Sequence, residues 1–130
     1  MSSEKFTRGM KARREVLGDE YVDRALSSAS AFSKPLQDLL TENCWGEVWA
    51  DDALPRRTRS LVTIAILTTV RAATELKAHV LGALRNGCSV DEIRAVLLHC
   101  AVYCGAPAAI EAFRAAKEVI ADWEKGNGKG

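Results

Sequence analysis

Three features of this 130-residue chain predict an all-α fold. Apolar residues recur at helical spacing, as in Phe6, Met10 and Leu17. Start and stop signals bracket the periodic runs: Ser33 with Pro35, Ser89-Val-Asp-Glu92, Asn86-Gly87 and Gly105. No convincing strand alternation and no internal repeat competes with them.

The first helix carries the Phe6, Met10 and Leu17 stripe, and Gly18 stops it. A short helix follows from Asp19 to about Ser27. Ser33 then reads as an N-cap with Pro35 in the first turn. That helix passes through Leu36, Leu39 and Leu40 into the Trp45–Trp49 region, where Gly46 is a possible break. Residues 51–54 form a connector, and Pro55 begins a helix continuing to about Val70. Thr74 caps the next, which ends at Asn86-Gly87. The capping box Ser89 to Glu92 opens another, ending near Gly105. Pro107 starts the last helix, which reaches about Trp123. The expectation is six or seven helices in a single domain over residues 1–125, with a disordered tail from Gly126 to Gly130.

A chain of this length can bury one core without covalent staples. Its 48% hydrophobic and 27% charged residues are ordinary for a soluble globule. The formal charge of +1 supplies no global field to draw nucleic acid or membrane. The N-terminus, MSSEKFTRGMKARREV, is charged and has no apolar core of a signal peptide. The longest apolar stretch, Leu61 to Val70, is broken by threonines and too short to span a bilayer. Cys44, Cys88, Cys100 and Cys104 include no CxxC pair and read as reduced cytoplasmic thiols. His99, Cys100 and Cys104 come nearest to a metal cluster. On a helix, however, His99 points roughly 100° away from Cys100, so no metal site is expected.

Two helices are apolar on more than one face. In one, Leu61, Val62, Ile64, Ala65, Ile66, Leu67 and Val70 cover most directions. In the other, Ile93, Val96, Leu97, Cys100 and Cys104 form one side, with Leu98 and Val102 opposite. A helix apolar all round is buried on all sides, and a chain this small has little room for two. A homo-oligomer with helical contacts between subunits is the expected solution.

The stretch from Thr74 to Pro107 holds both histidines, His79 and His99. Glu75 lies one helical turn before His79, and Tyr103 one turn after His99. Each His has a structural reading as a satisfied core residue and a chemical one as a proton carrier near neutral pH. Arg56, Arg57 and Arg59 crowd the first turns of a helix, where backbone N–H groups and cations together favour an anion. Their plainer role is ion pairing to Asp51 and Asp52. Arg13 falls inside an apolar stripe and needs a partner, either a carboxylate ligand or a structural Asp or Glu. Trp45 and Trp49, one turn apart, can wall a pocket or simply pack the core.

Five ordered segments resemble the carboxymuconolactone decarboxylase family, in its decarboxylase branch. They are VLGDEYVDR from Val16, WGEVW from Trp45, PRRTRSLVTIA from Pro55, ELKAH from Glu75 and LLHCAVYCGAPAA from Leu97, within residues 8–121. The same fold serves alkylhydroperoxidase-like proteins, whose signature is CxxC, three residues and His, with a Glu about twelve residues upstream. With His79 as the motif His, the two cysteine positions fall on Ala72 and Glu75, and the Glu position falls near Ser60. A thiol peroxidase needs an accessible thiolate and a resolving partner, so peroxidase chemistry is not expected.

The resemblance implies an alkylhydroperoxidase-like helical bundle, assembled as a trimer or hexamer. It implies decarboxylation of 4-carboxymuconolactone to the enol-lactone of 3-oxoadipate, in aromatic-compound catabolism, with no metal or organic cofactor. On that reading His79 gives a proton to carbon and Glu75 orients it. Arg59 and Arg57 grip a carboxylate with Arg13 or Arg24 in reserve, His99 or Tyr103 hydrogen-bonds the lactone oxyanion, and Trp45 and Trp49 dry the site. One departure is Arg57, where the family pattern often has His. A relative acting on another acidic lactone or enol, and a non-enzymatic oligomeric binding protein, remain the alternatives.

Overall fold

The computed structural model describes residues 3–126. Seven α-helices and one π-helical segment account for it, and no strand occurs among the described residues. They are α1 (Glu4–Leu17), α2 (Asp19–Ser27), α3 (Lys34–Leu39) running into the π segment (Leu40–Trp49), α4 (Arg56–Thr69), α5 (Ala73–Arg85), α6 (Val90–Cys104) and α7 (Ala106–Gly126). The chain divides into two compact units, residues 1–56 and 57–130. No helix among the described residues is long and apolar enough to cross a membrane.

In the first unit, α1 starts where the Ser3 hydroxyl accepts from Phe6 N–H at 2.9 Å. It stops at Gly18, whose φ of 92° is a conformation that favours glycine. Arg14 then ties α1 to α2 through Asp19 at 3.2 Å and Asp23 at 2.8 Å. The buried face of α1 is Gly9, Ala12, Arg13, Val16 and Leu17, lying against the π segment. Phe6 and Met10, expected in this stripe, are only partly covered.

The helix expected from Ser33 changes type instead of breaking at Gly46. Ser33 makes no side-chain cap; its hydroxyl accepts from Ser30 N–H at 2.9 Å. From Leu40 the backbone widens, so that Ala50 N–H reaches Trp45 C=O, five residues back, at 3.0 Å. Side chains occupy carbonyls that α-helical bonding would use. The Thr41 hydroxyl donates to Gln37 C=O at 2.8 Å and the Asn43 amide to Leu39 C=O at 3.3 Å. Gly46 is a crossing point, where a Cβ would lie 2.3 Å from the Lys5 carbonyl oxygen.

In the second unit α5, α6 and α7 pack on one another, and Ile64 of α4 enters the same core. Its buried members include Leu76, Val80, Ile93 and Leu97, with Ala112, Ala115 and Ala116 forming the close-packed side of α7. The helix expected to be capped by Thr74 begins at Ala73 with no side-chain cap. The turn before it is held by Arg71, at φ 63°, whose guanidinium donates to both Glu111 oxygens at 3.0 and 3.2 Å. The last helix begins at Ala106, one residue before Pro107, and extends past Trp123 to Gly126. Of the expected disordered tail, residues 127–130 lie outside the described residues.

The Ser89 capping box is present in both directions: Glu92 N–H to Ser89 hydroxyl at 3.0 Å, and Ser89 N–H to Glu92 carboxylate at 2.9 Å. The second Glu92 oxygen pairs with Arg57, tying the start of α6 to the start of α4. Glu92→Ala therefore removes a cap and an ion pair together. It is expected to cost about 1–2 kcal/mol, read as a lower urea midpoint at unchanged m-value.

Candidate active site

His79 occupies the part-buried flank of α5, between core residues Leu76 and Val80 and the exposed Glu75 one turn earlier. Burial lowers its pKa to about 4, and the negative charge of Glu75 opposes that shift without cancelling it. In the empty protein at neutral pH the imidazole is therefore uncharged. To act as the expected proton donor, His79 first takes up a proton.

Arg59 is half-buried on α4, about 140° around the helix from core residue Ile64 and on the side of Val62 and Ile66. Its neighbours in the first turns are held by carboxylates. Arg56 pairs with Glu15 at 2.6 Å and Arg57 with Glu92. Arg57, expected as a substrate grip, thus also ties the start of α4 to the cap of α6. Arg13 is buried, with its guanidinium donating to Thr41 Oγ1 at 3.2 Å and Gln37 Oε1 at 2.8 Å. Its partners are neutral amide and hydroxyl oxygens, not the expected carboxylate. Gln37 and Thr41 are one turn apart and cradle Arg13 from 24 and 28 residues away in sequence. Arg24 is exposed and pairs with Glu20 at 3.7 Å. Trp45 and Trp49 are buried and stacked on each other, with ring centroids 4.8 Å apart, in the first unit.

His99 and Tyr103 do form a pair. Their rings stack at 4.9 Å and 18° on the exposed face of α6. That face also carries Leu98 and Val102, and Val102 and Tyr103 are 80% and 79% exposed. On α4 Val62 and Ile66 are exposed, as is Val70 just past its end. The two helices are joined here by Thr69 Oγ1 and Cys104 Sγ at 3.1 Å. A groove of about 540 Å³ between α6 and α7, floored by Ile93, Leu97 and Phe113, carries none of the candidate side chains.

Burial raises the thiol pKa values of Cys44, Cys88 and Cys100, the opposite of what a thiolate nucleophile needs. Cys88 donates its S–H to Arg57 C=O at 3.4 Å. All four cysteines are free thiols.

The chain belongs to the carboxymuconolactone decarboxylase family, whose profile matches residues 34–118. It is 45% identical over 117 residues to a nitrosuccinic acid decarboxylase of Metarhizium robertsii, covering 90% of this chain and 82% of that one. It is 40% identical over 119 residues to a 4-carboxymuconolactone decarboxylase of Acinetobacter baylyi, covering 92% and 89%. A 4-carboxymuconolactone decarboxylase of Pseudomonas putida is 36% identical over 44 residues, 34% of this chain and 92% of that sequence. The chain is a carboxy-lyase.

Proposed function

We propose that this carboxy-lyase is a cytoplasmic homo-oligomer that decarboxylates 4-carboxymuconolactone to the enol-lactone of 3-oxoadipate, in aromatic-compound catabolism. The observation that carries the reading is the likeness to the Acinetobacter decarboxylase along nearly the whole of both chains. The substrate is a butenolide with two carboxylates. Breaking the bond from the ring carbon to CO2 sends its electron pair through the ring C=C to the lactone oxygen, giving a dienolate. A proton on the carbon alpha to the carbonyl completes the reaction. Arg59 grips the carboxylate that stays. His79, oriented by Glu75, supplies the proton. His99 or Tyr103 stabilises the lactone oxyanion.

The substrate itself charges His79. Two carboxylates brought beside a neutral imidazole oppose the effect of its burial and raise its pKa. Binding is thereby coupled to proton uptake, and the chemistry then spends that proton.

Self-association is supported by the uncovered apolar faces of α4 and α6. Val62, Ile66, Leu98 and Val102 are all exposed there, and large exposed apolar areas are uncommon on monomers. Light scattering on a size-exclusion peak is expected to return a multiple of the chain mass, and Val102→Asp to reduce it. A monomer mass for the unaltered protein removes this part of the proposal.

A second substrate is favoured by the higher identity to the Metarhizium relative, namely nitrosuccinate. The deciding assay generates 4-carboxymuconolactone in situ from 3-carboxymuconate with a cycloisomerase and follows product by NMR in D2O. Rapid enol-lactone formation with one deuterium alpha to the carbonyl is expected. No acceleration over the spontaneous rate, with folded protein present, rejects the lactone.

A further inference from the structure

We infer that the chain reads its substrate as a succinate: a leaving and a retained carboxylate on adjacent carbons, with an interchangeable electron sink on the carbon that loses CO2. This rests on the decarboxylase reading above and narrows its substrate class.

The two compounds named in the relatives look unalike, one a lactone ring and the other an acyclic nitro acid. Their reacting cores are the same. In 4-carboxymuconolactone one ring carbon bears both a carboxylate and a carboxymethyl group. In nitrosuccinate one carbon also bears a carboxylate and a carboxymethyl group, and the nitro group besides. Loss of CO2 breaks the equivalent bond in each. The electron pair passes to the lactone oxygen through the ring C=C, or to a nitro oxygen as a nitronate. One proton then returns to carbon, and no oxidant, reductant or co-reactant is needed. A chain similar to both proteins over 90% and 92% of its length keeps a scaffold suited to what the two molecules share.

The side chains support recognition by charge over recognition of a ring. Trp45 and Trp49, the pair expected to wall a ring pocket, are 4% and 6% exposed and stacked on each other. Arg57 and Arg13, expected to widen the anion grip, are engaged by Glu92 and by Gln37 with Thr41. Arg59 on α4 and the part-buried His79 on α5 are the groups assigned to substrate. The retained carboxylate then has two tasks. It anchors the molecule on Arg59, and its charge helps to bring a proton onto His79. Removing it costs turnover as well as binding, whatever the sink.

The test compares three compounds on the intact protein: 4-carboxymuconolactone, nitrosuccinate, and 2-nitropropanoate. The last keeps the nitro sink and the leaving carboxylate and lacks the retained one. Both succinates are expected to lose CO2 well above their spontaneous rates. The kcat/KM for 2-nitropropanoate is expected to fall by about 10²-fold or more, with kcat lowered as well as KM raised. Arg59→Gln is expected to lower kcat/KM more for nitrosuccinate than for 2-nitropropanoate and so narrow the gap. Equal handling of 2-nitropropanoate and nitrosuccinate overturns the inference. Turnover of one succinate without the other also overturns it, because the sink is then being read. In that case lactone turnover alone leaves the proposed function standing, and nitrosuccinate turnover alone removes the lactone reading. Turnover of neither rejects both.

Discussion

His79→Ala is expected to lower turnover by about 10²-fold or more while the protein keeps its helical signal and its unfolding cooperativity. The size follows from the loss of a positioned proton donor. The intact fold follows from the position: His79 sits at the edge of the core, and the fully buried places on α5 belong to Leu76, Val80 and Ala83. Two pH effects separate this role from a structural one. A histidine held near pKa 4 is neutral in the native state, whereas the unfolded chain takes up the proton near pH 6.5. The unfolded state therefore binds more protons between those values. Stability conferred by keeping His79 neutral is present above about pH 6.5 and is lost as pH falls toward 4. His79→Gln should flatten that decline, seen by comparing urea midpoints at pH 7 and about 4.5. Substrate binding, in contrast, should take up a proton at pH 7, measured by calorimetry in buffers of different ionisation enthalpy. Near-normal turnover in His79→Ala removes the residue from the mechanism.

The local signals were legible in the sequence, and the long-range pairings were not. Gly18, Gly105 and the Ser89 to Glu92 box act within a single turn, and the structure places each where its chemistry requires. Ser33 and Thr74 have the right composition for caps and make none, because a cap also depends on the path of the incoming chain. The cluster Arg56, Arg57 and Arg59 was visible as charge. Its ion pairs run to Glu15 and Glu92, which lie 41 and 35 residues from their partners. The opposed apolar faces of α4 and α6 were readable from periodicity alone, and the structure leaves Val62, Ile66, Leu98 and Val102 exposed. His79 stood out in the sequence by its spacing to Glu75. Its uncharged state did not, since that comes from neighbours the spacing does not name. The π segment had no signature: its hydrogen-bond shift is set by Thr41 and Asn43 turning back on the helix and by α1 lying against it.

Gly9→Ala is expected to be the most destabilising single-methyl change in the first unit. A Cβ on Gly9 would stand 1.9 Å from the Thr41 carbonyl oxygen and 2.7 Å from the Gly46 nitrogen. Both are backbone atoms, so no rotamer change relieves the overlap. The helices must separate by more than an ångström. That would stretch the Arg8 Nε to Gly46 C=O bond, now 3.2 Å, and disturb the buried Arg13 to Thr41 contact, also 3.2 Å. Alanine does bring a better helix propensity, worth about 1 kcal/mol. Overpacking a backbone crossing costs about 3 kcal/mol or more, so the clash wins. The same substitution at Gly126, where a Cβ meets nothing within 4 Å, is the control and should be neutral or slightly stabilising. Urea titrations of the two variants beside the parent protein decide the matter. If Gly9→Ala unfolds at the parent midpoint, α1 and the π segment do not cross at this distance.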